Sequence, residues 1–212
     1  MMNWIEKIAA LQDRRILWVL MAIIGIGLAL TSFLVFQRWL YLRPCEQCVY
    51  IRFAMACIAV GGAVGAVNPR VLVLKLAGYG AAVYGATKGI DYSLTLIRIG
   101  EAYRSGNLFG VQGCSAEPAF PFHLPLHSWF PATFLPTEDC GVSYPIIPEG
   151  AVLSPMQKYF TDLYRDGWYL IPSRQFMTME QCTLLCFSLI LTALLICLIC
   201  WTIVQAGNRR RP

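Results

Sequence analysis

The sequence predicts an all-α membrane protein: a four-transmembrane-helix bundle with a long, proline-rich outer loop between the third and fourth helices. Three observations carry this. Of 212 residues, 57% are hydrophobic and only 14% charged, and the mean hydropathy of +0.56 exceeds what a single soluble core requires. Four apolar runs are each long enough to cross about 30 Å of hydrocarbon at 1.5 Å per residue. Nine of the twelve prolines fall in one stretch, Arg98 to Met179, and proline at that density excludes a long helix.

In chain order, Met1 to Arg15 sets Trp4, Ile5, Ile8 and Leu11 at helical spacing among charged residues, the pattern of a short helix lying on a membrane surface. The next apolar run is too long for a cleavable signal peptide, and no small-residue cleavage site follows it. The first span is Ile16 to Phe36, without a charge. The second is Val49 to Val67, interrupted only by Arg52 and closed by the turn Asn68-Pro69-Arg70. The third, Val71 to Ile97, carries Lys75 near one end and Lys88 with Asp91 toward the other. The fourth, Thr183 to Val204, is free of charge and precedes Arg209, Arg210 and Arg211. With four spans, Lys7, Arg14, Arg15, Arg70, Lys75 and the terminal arginines share one side, which the positive-inside rule makes cytoplasmic, together with both termini. Topology thus accounts for the net charge of +5, and membrane lipid rather than nucleic acid is the expected neighbour.

The outer segment is too long to be a mere connection. Phe120 to Pro131 alternates proline with aromatic and aliphatic residues, which favours an extended chain on the bilayer interface, with Trp129 and Phe130 as anchors. Ser154-Pro155 followed by Met156 to Arg165 predicts a capped amphipathic helix.

The nine cysteines divide by topology. Cys45, Cys48, Cys114 and Cys140 lie on the outer, oxidising side; Cys57, Cys182, Cys186, Cys197 and Cys200 lie in or beside spans, where cysteine behaves as a small hydrophobe. Cys197 and Cys200 form a second C-x-x-C, but it sits in apolar sequence without a charge partner, as inert cysteines do. Cys45-Glu46-Gln47-Cys48 differs: it stands where a polar turn meets an apolar run, and Arg52 is four residues beyond Cys48, on the same face of a helix. A nearby cation favours thiolate, the form that exchanges disulfides. A bridge across two residues also closes a loop too small to stabilise much, so this pair reads as a redox centre at the membrane surface. For Cys114 and Cys140 a structural staple is a sufficient explanation. Cys114, His123, His127 and Cys140 are formally a zinc set, but Pro125 breaks the helix that usually presents such histidines, and reduced thiols are uncommon outside the cytosol. No metal is expected.

Four spans, the C-x-x-C-x-Tyr-x-Arg sequence opening the second, and a cysteine pair flanking Phe-Pro, Leu-Pro-Leu, Trp-x-Pro and Asp-Cys resemble the DsbB family of inner-membrane disulfide-forming thiol:quinone oxidoreductases. The resemblance covers the chain from about Ile16 to the end of the fourth span, with the segment from Gly141 to about Asp166 as an insertion. Phe109 to Ser115, the Cys-Glu-Gln-Cys core and the insertion are most like the DsbI branch, which is associated with a dedicated DsbA-like partner, DsbL, and an arylsulfate sulfotransferase.

The resemblance implies a bacterial inner-membrane enzyme with its active cysteines in the periplasm, working in disulfide bond formation. A reduced periplasmic DsbA- or DsbL-like protein would attack Cys114 of a Cys114–Cys140 disulfide. Cys140 would exchange with Cys45, and Cys48 would pass electrons to a quinone, ubiquinone or menaquinone, beside Arg52. Two positions depart from the family: Ile51 stands where other members can carry an acid, and Leu96 lies where some place a histidine. On the residues alone two rivals stay open, a quinone or vitamin-K-epoxide-type reductase running the other way and a membrane scaffold with structural disulfides.

Overall fold

The computed structural model describes residues 4–106 and 114–209. The Phe109–Gly113 part of the branch resemblance and the terminal Arg210 and Arg211 lie outside the described residues. The described chain is mostly helical: α1 (Trp4–Leu11), α2 (Arg15–Leu30) continuing as a π-helix (Thr31–Trp39), α3 (Glu46–Val67), α4 (Leu72–Ser105), three single-turn helices including α5 (Leu126–Trp129) and α6 (Pro131–Phe134), α7 (Pro155–Leu163), the strands β1 (Tyr169–Ile171) and β2 (Phe176–Thr178), and α8 (Met179–Arg209).

Among the described residues, three helical segments are long and apolar enough to cross a membrane: Arg15–Trp39, Glu46–Val67 and Met179–Gly207. α2 and α8 leave Ile16, Ile23, Leu189 and Ile199 more than half exposed, which suits hydrocarbon and not water. α3 differs: 61% of its most apolar stretch is buried, against 6% and 11% in the other two. Three helices outrun the spans expected from hydropathy, each at one end. α3 begins at Glu46 rather than Val49, α4 continues to Ser105 rather than stopping at Ile97, and α8 starts at Met179 rather than Thr183. The added stretches are interrupted by charged and amide side chains, among them Glu46, Gln47, Arg98, Glu101, Arg104, Glu180 and Gln181, so an apolar-run criterion cannot see them although their backbone stays helical.

The chain divides into two units. The first comprises residues 1–27, 54–88 and 186–212. It is held by small residues and one polar network. Gly62 lets α3 approach the α2 backbone at Trp18 and Ala22, and Gly65 lies flat against the Trp18 indole, so a methyl group at either would overlap its neighbour. Such close approach through small residues is how helices associate where no hydrophobic drive separates lipid from side chain. Trp18 meets Tyr79 edge-on at 4.9 Å. Behind them Gln12, fully buried, donates to the Cys197 carbonyl at 2.7 Å and accepts from the Tyr79 hydroxyl at 2.7 Å, while its own carbonyl accepts from Trp18 Nε1 at 3.0 Å. Each buried polar group of this set has a partner, as the low dielectric demands. Lys75, also buried, pairs with Asp13 and lies over the Trp201 ring at 5.4 Å.

The second unit comprises residues 28–53 and 89–185. At the end of the first span the hydrogen bonding loosens: Leu40 N–H donates to the Val35 carbonyl and Leu42 N–H to the Phe36 carbonyl, both at 2.9 Å. This widening brings residues five apart, such as Ser32 and Gln37, toward a common side; at about 100° per residue an α-helix would hold them about 140° apart. The proline-rich run is not the extended chain expected from its composition. It folds into single turns, Pro121–His123, α5 and α6; Pro121 and Pro131 stand at first helical positions, where the missing N–H costs nothing, and Pro125 is the N-cap of α5. The expected amphipathic helix is α7, capped by the Ser154 hydroxyl accepting from Gln157 N–H at 3.2 Å. The sequence reading had no counterpart for the antiparallel β1–β2 hairpin, with Tyr169 opposite Thr178 and Ile171 opposite Phe176. Its strands have three residues each, and its turn runs through Pro172 and a left-handed Gln175.

The close packing of Gly65 yields a test of the first unit. Gly65→Ala is expected to lower stability by about 1–3 kcal/mol through overpacking. Gly27→Ala, where a Cβ meets nothing within 4 Å, should be neutral or slightly stabilising. Thermal unfolding of both variants in the same detergent checks this; equal melting temperatures would contradict the packing described.

Candidate redox site

All of the site's described residues belong to the second unit. Pro44 leads into α3, and Cys45 stands immediately before its first residue. The Cys45 carbonyl accepts from Val49 N–H at 3.1 Å, and its sulfur accepts from Cys48 N–H at 3.3 Å. The cysteine therefore occupies a capping position and meets one of the orphan donors of the first turn. Cys45 and Cys48 form a disulfide with Cα atoms 5.0 Å apart. Cys45 is only 2% exposed, whereas Cys48 is half-buried.

One turn farther, Arg52 is 3% exposed. Its Nε donates to Ser32 Oγ at 2.8 Å, Nη1 to Gln37 Oε1 at 2.6 Å and to the Thr133 carbonyl at 2.9 Å, and Nη2 to the Ser32 carbonyl at 3.2 Å. Two of these partners come from the π-helix and one from α6. All are neutral, so among the described residues the guanidinium has no carboxylate, and one of its five N–H groups remains on Nη2. A buried cation held only by dipoles is costly unless something anionic or electron-rich completes its shell. Cys45, Cys48 and Arg52 line one cleft of about 70 Å³ with Leu96, Arg104 and Glu180, and Arg104 pairs with Glu180 at 3.4 Å.

The second pair, Cys114 and Cys140, is also a disulfide, with Cα atoms 5.8 Å apart. Both sulfurs of the formal zinc set are thereby committed to each other. Cys140 is 8% exposed and Cys114 more open. Two ties hold this loop at the start of α3. Thr137 N–H donates to the Pro44 carbonyl at 2.9 Å. Ser115 N–H donates to Glu46 Oε2 at 2.8 Å, while Glu46 Oε1 accepts from the Tyr50 hydroxyl at 2.9 Å. Tyr50 Oη in turn accepts from Ala119 N–H at 2.8 Å. Phe120, buried, closes the contact against Tyr50, Phe53 and Phe134 at centroid distances of 5.3, 5.8 and 5.6 Å.

The structure thus brings Cys45, Cys48 and Arg52 to one cleft and bonds the residue beside Cys114 to the residue beside Cys45. Sequence reasoning missed Ser32, Gln37, Glu46 and Tyr50 as parts of the site. Ser32 and Gln37 share a side only because the helix is widened. Glu46 and Tyr50 did leave a signal: an acid and a tyrosine four residues apart, within and just after the C-x-x-C.

The chain is similar to known proteins over most of its length. The family model for the disulfide bond formation protein DsbB matches residues 14–197. The protein-disulfide oxidoreductase DsbI of Salmonella typhimurium is 47% identical over 210 residues, covering 97% of this chain and 93% of that protein. The protein-disulfide oxidoreductase DsbI of Escherichia coli is 44% identical over 204 residues, with 94% and 92% covered.

The pairing predicts a simple count. Denatured without reduction, the oxidised protein should take up alkylating reagent at Cys57, Cys182, Cys186, Cys197 and Cys200, which are unpaired, and after reduction at all nine cysteines. Mass spectrometry finding Cys114 or Cys140 labelled before reduction would contradict the second disulfide.

Proposed function

The chain belongs to the DsbB family of disulfide bond formation proteins, and from that premise we propose how its two cysteine pairs work as a relay. It is a protein-disulfide oxidoreductase of the DsbI type, carried by membrane-crossing helices. Its donor is a reduced periplasmic dithiol protein of the DsbA or DsbL kind, and its acceptor is a membrane quinone. α4 is the remaining span: its 34 residues reach about 50 Å at 1.5 Å per residue, and its charges are what keep it from reading as apolar. The basic flanks set both termini in the cytoplasm and all four active cysteines in the periplasm.

One observation carries the reading: half-buried Cys48 and buried, carboxylate-free Arg52 line the same cleft. Cys114 is the more accessible sulfur of the loop pair. The donor's thiolate attacks it, a donor–Cys114 bond forms, and Cys140 leaves as thiolate. Cys140 then attacks Cys45; that bond forms, the Cys45–Cys48 bond breaks, and Cys48 leaves as thiolate beside the Arg52 guanidinium. The donor's second thiolate displaces Cys114 and departs as a disulfide. Cys114 then attacks Cys140, restoring the loop pair and freeing Cys45. Burial of Cys45 keeps the donor protein's own thiolates from attacking it directly, so the protein-driven exchange runs through the loop pair.

A quinone fits the cleft chemically, because the free donor of Arg52 Nη2 is what a quinone oxygen requires and Leu96 adds an apolar wall. When bound, a quinone supplies the sink for two electrons and two protons that returns Cys45 and Cys48 to a disulfide. Arg52 would hold it, and Ser32, Gln37 and Thr133 fix the orientation of Arg52. The insertion from Gly141 to Asp166 follows directly on Cys140, where it discriminates among donors by contact or exclusion.

The test is a substitution series. Arg52→Lys keeps charge but loses the planar fork, and Arg52→Met loses both. Quinone-dependent turnover should fall about 10-fold for lysine and about 100-fold or more for methionine, by analogy with loss of one preorganised donor. Single-turnover exchange between donor and the loop pair, measured without quinone, should persist in both. Unchanged turnover and quinone affinity in Arg52→Met would contradict the assignment.

A further inference from the structure

Glu46 lies between the two cysteines of the first pair, 8% exposed, and neither carboxylate oxygen is idle. Oε2 accepts from the backbone N–H of Ser115, the residue after Cys114, and Oε1 accepts from Tyr50. Tyr50 is one turn along the same helix, and its oxygen accepts from Ala119 N–H. One acid and one phenol thus hold both ends of residues 115–119 against α3, across a sequence separation of 69. A buried carboxylate without a cation among the described residues is costly, and a staple needing only loop stability would be better made from apolar side chains. What this pair does that apolar packing does not is fix register: it sets the Cys114 segment one residue from Cys45.

We propose that Glu46 is the positioning residue for the internal disulfide exchange, docking the Cys114–Cys140 pair on Cys45–Cys48 through Ser115 N–H and, by way of Tyr50, Ala119 N–H. The proposal rests on the relay described under Proposed function. In that relay the Cys114–Cys140 bond is broken once a donor is attached to Cys114, and the disulfide no longer ties residue 114 to residue 140. The Glu46 bond to Ser115 does not depend on either sulfur, so it holds Cys114 in place through the open stage. Cys140, tied through Thr137 to Pro44, then finds both Cys45, which it attacks, and Cys114, which returns to it. Misplacement by about 1 Å is enough to slow such a step severely.

The experiment uses the full chain in lipid nanodiscs with a soluble short-chain quinone, comparing a reduced DsbA-like protein with dithiothreitol as donors. Dithiothreitol is small enough to reduce the first pair without the loop. Glu46→Ala should lower kcat with the protein donor about 10- to 100-fold, the scale of a lost hydrogen bond to a buried charge. KM for that donor should be unchanged, dithiothreitol turnover should stay within about twofold, and a donor–Cys114 mixed disulfide should accumulate on non-reducing gels. Glu46→Gln keeps a carbonyl for Ser115 N–H and an amide that can face Tyr50, so it should retain most of the protein-driven rate. Tyr50→Phe removes the Ala119 arm and the phenol's bond to Glu46 Oε1 but leaves the Ser115 arm on Glu46 Oε2, and should show the same split, more weakly; it carries the test if Glu46→Ala does not fold. Native rates in Glu46→Ala, equal loss with both donors, or a Glu46→Gln as impaired as Glu46→Ala would each overturn the positioning role. A native chain that reduces quinone with neither donor would overturn the relay itself, and this proposal with it.

Discussion

Arg52 places a positive charge at a buried site, and every described group that hydrogen-bonds to it there is neutral. That arrangement organises much of the second unit. To satisfy a buried guanidinium without a carboxylate, several dipoles must converge on it from different parts of the chain. Ser32 and Gln37 converge because the first membrane segment ends in a π-helix, and Thr133 because the proline-rich loop folds into a single turn over α3. A carboxylate in this shell would neutralise the site. The result is a cation with the donor capacity that the proposed relay asks of Arg52.

The same loop turn that serves Arg52 belongs to the structure that brings the second disulfide to the first. Phe120 fills the apolar contact, Thr137 and Pro44 join backbones, and Glu46 with Tyr50 fixes register. Burial and hydrogen bonding divide the work: Phe120 is buried among rings of α3 and α6, while directional bonds to the polar pair favour one alignment among many that would bury a phenylalanine equally well. Polar interactions of this kind suit an exchange site, where two sulfurs must meet in line repeatedly and part again.

Much of the site was legible in the sequence for reasons that are local. A C-x-x-C at the start of an apolar run, with arginine one helical turn beyond, needs only helical geometry to be placed, and α3 holds it in that geometry. Three spans were legible from apolar length, but where α3 and α8 begin and where α4 ends were not, because Glu46, Arg98 to Ser105 and Met179 to Cys182 continue helices through charged and amide residues. A bridge between Cys114 and Cys140 was readable from the residues as a staple, but a redox role for it came only from family resemblance; a staple, a metal site and a redox pair all use the same two residues. The contacts of Glu46 with Ser115 and of Arg52 with Thr133 join positions 69 and 81 residues apart, and no periodicity encodes them. The π-helix leaves no compositional mark, since the same apolar residues would serve an α-helix. The single turns at Pro121 and Pro131 were misread as extended chain because proline density excludes long helices but not one-turn ones.

The account's central claim is that electrons pass from a protein dithiol through both cysteine pairs to quinone. The most direct measurement is stoichiometry. The purified chain in nanodiscs is mixed with a reduced DsbA-like protein and a limiting amount of quinone, and donor disulfide and quinol are quantified together under anaerobic conditions. The relay requires one quinol for each donor disulfide, with formation of both abolished when either pair is replaced by alanine. Donor oxidation that continues after the quinone is exhausted, beyond what the enzyme's own disulfides can supply, or that survives loss of Cys45 and Cys48, would contradict it.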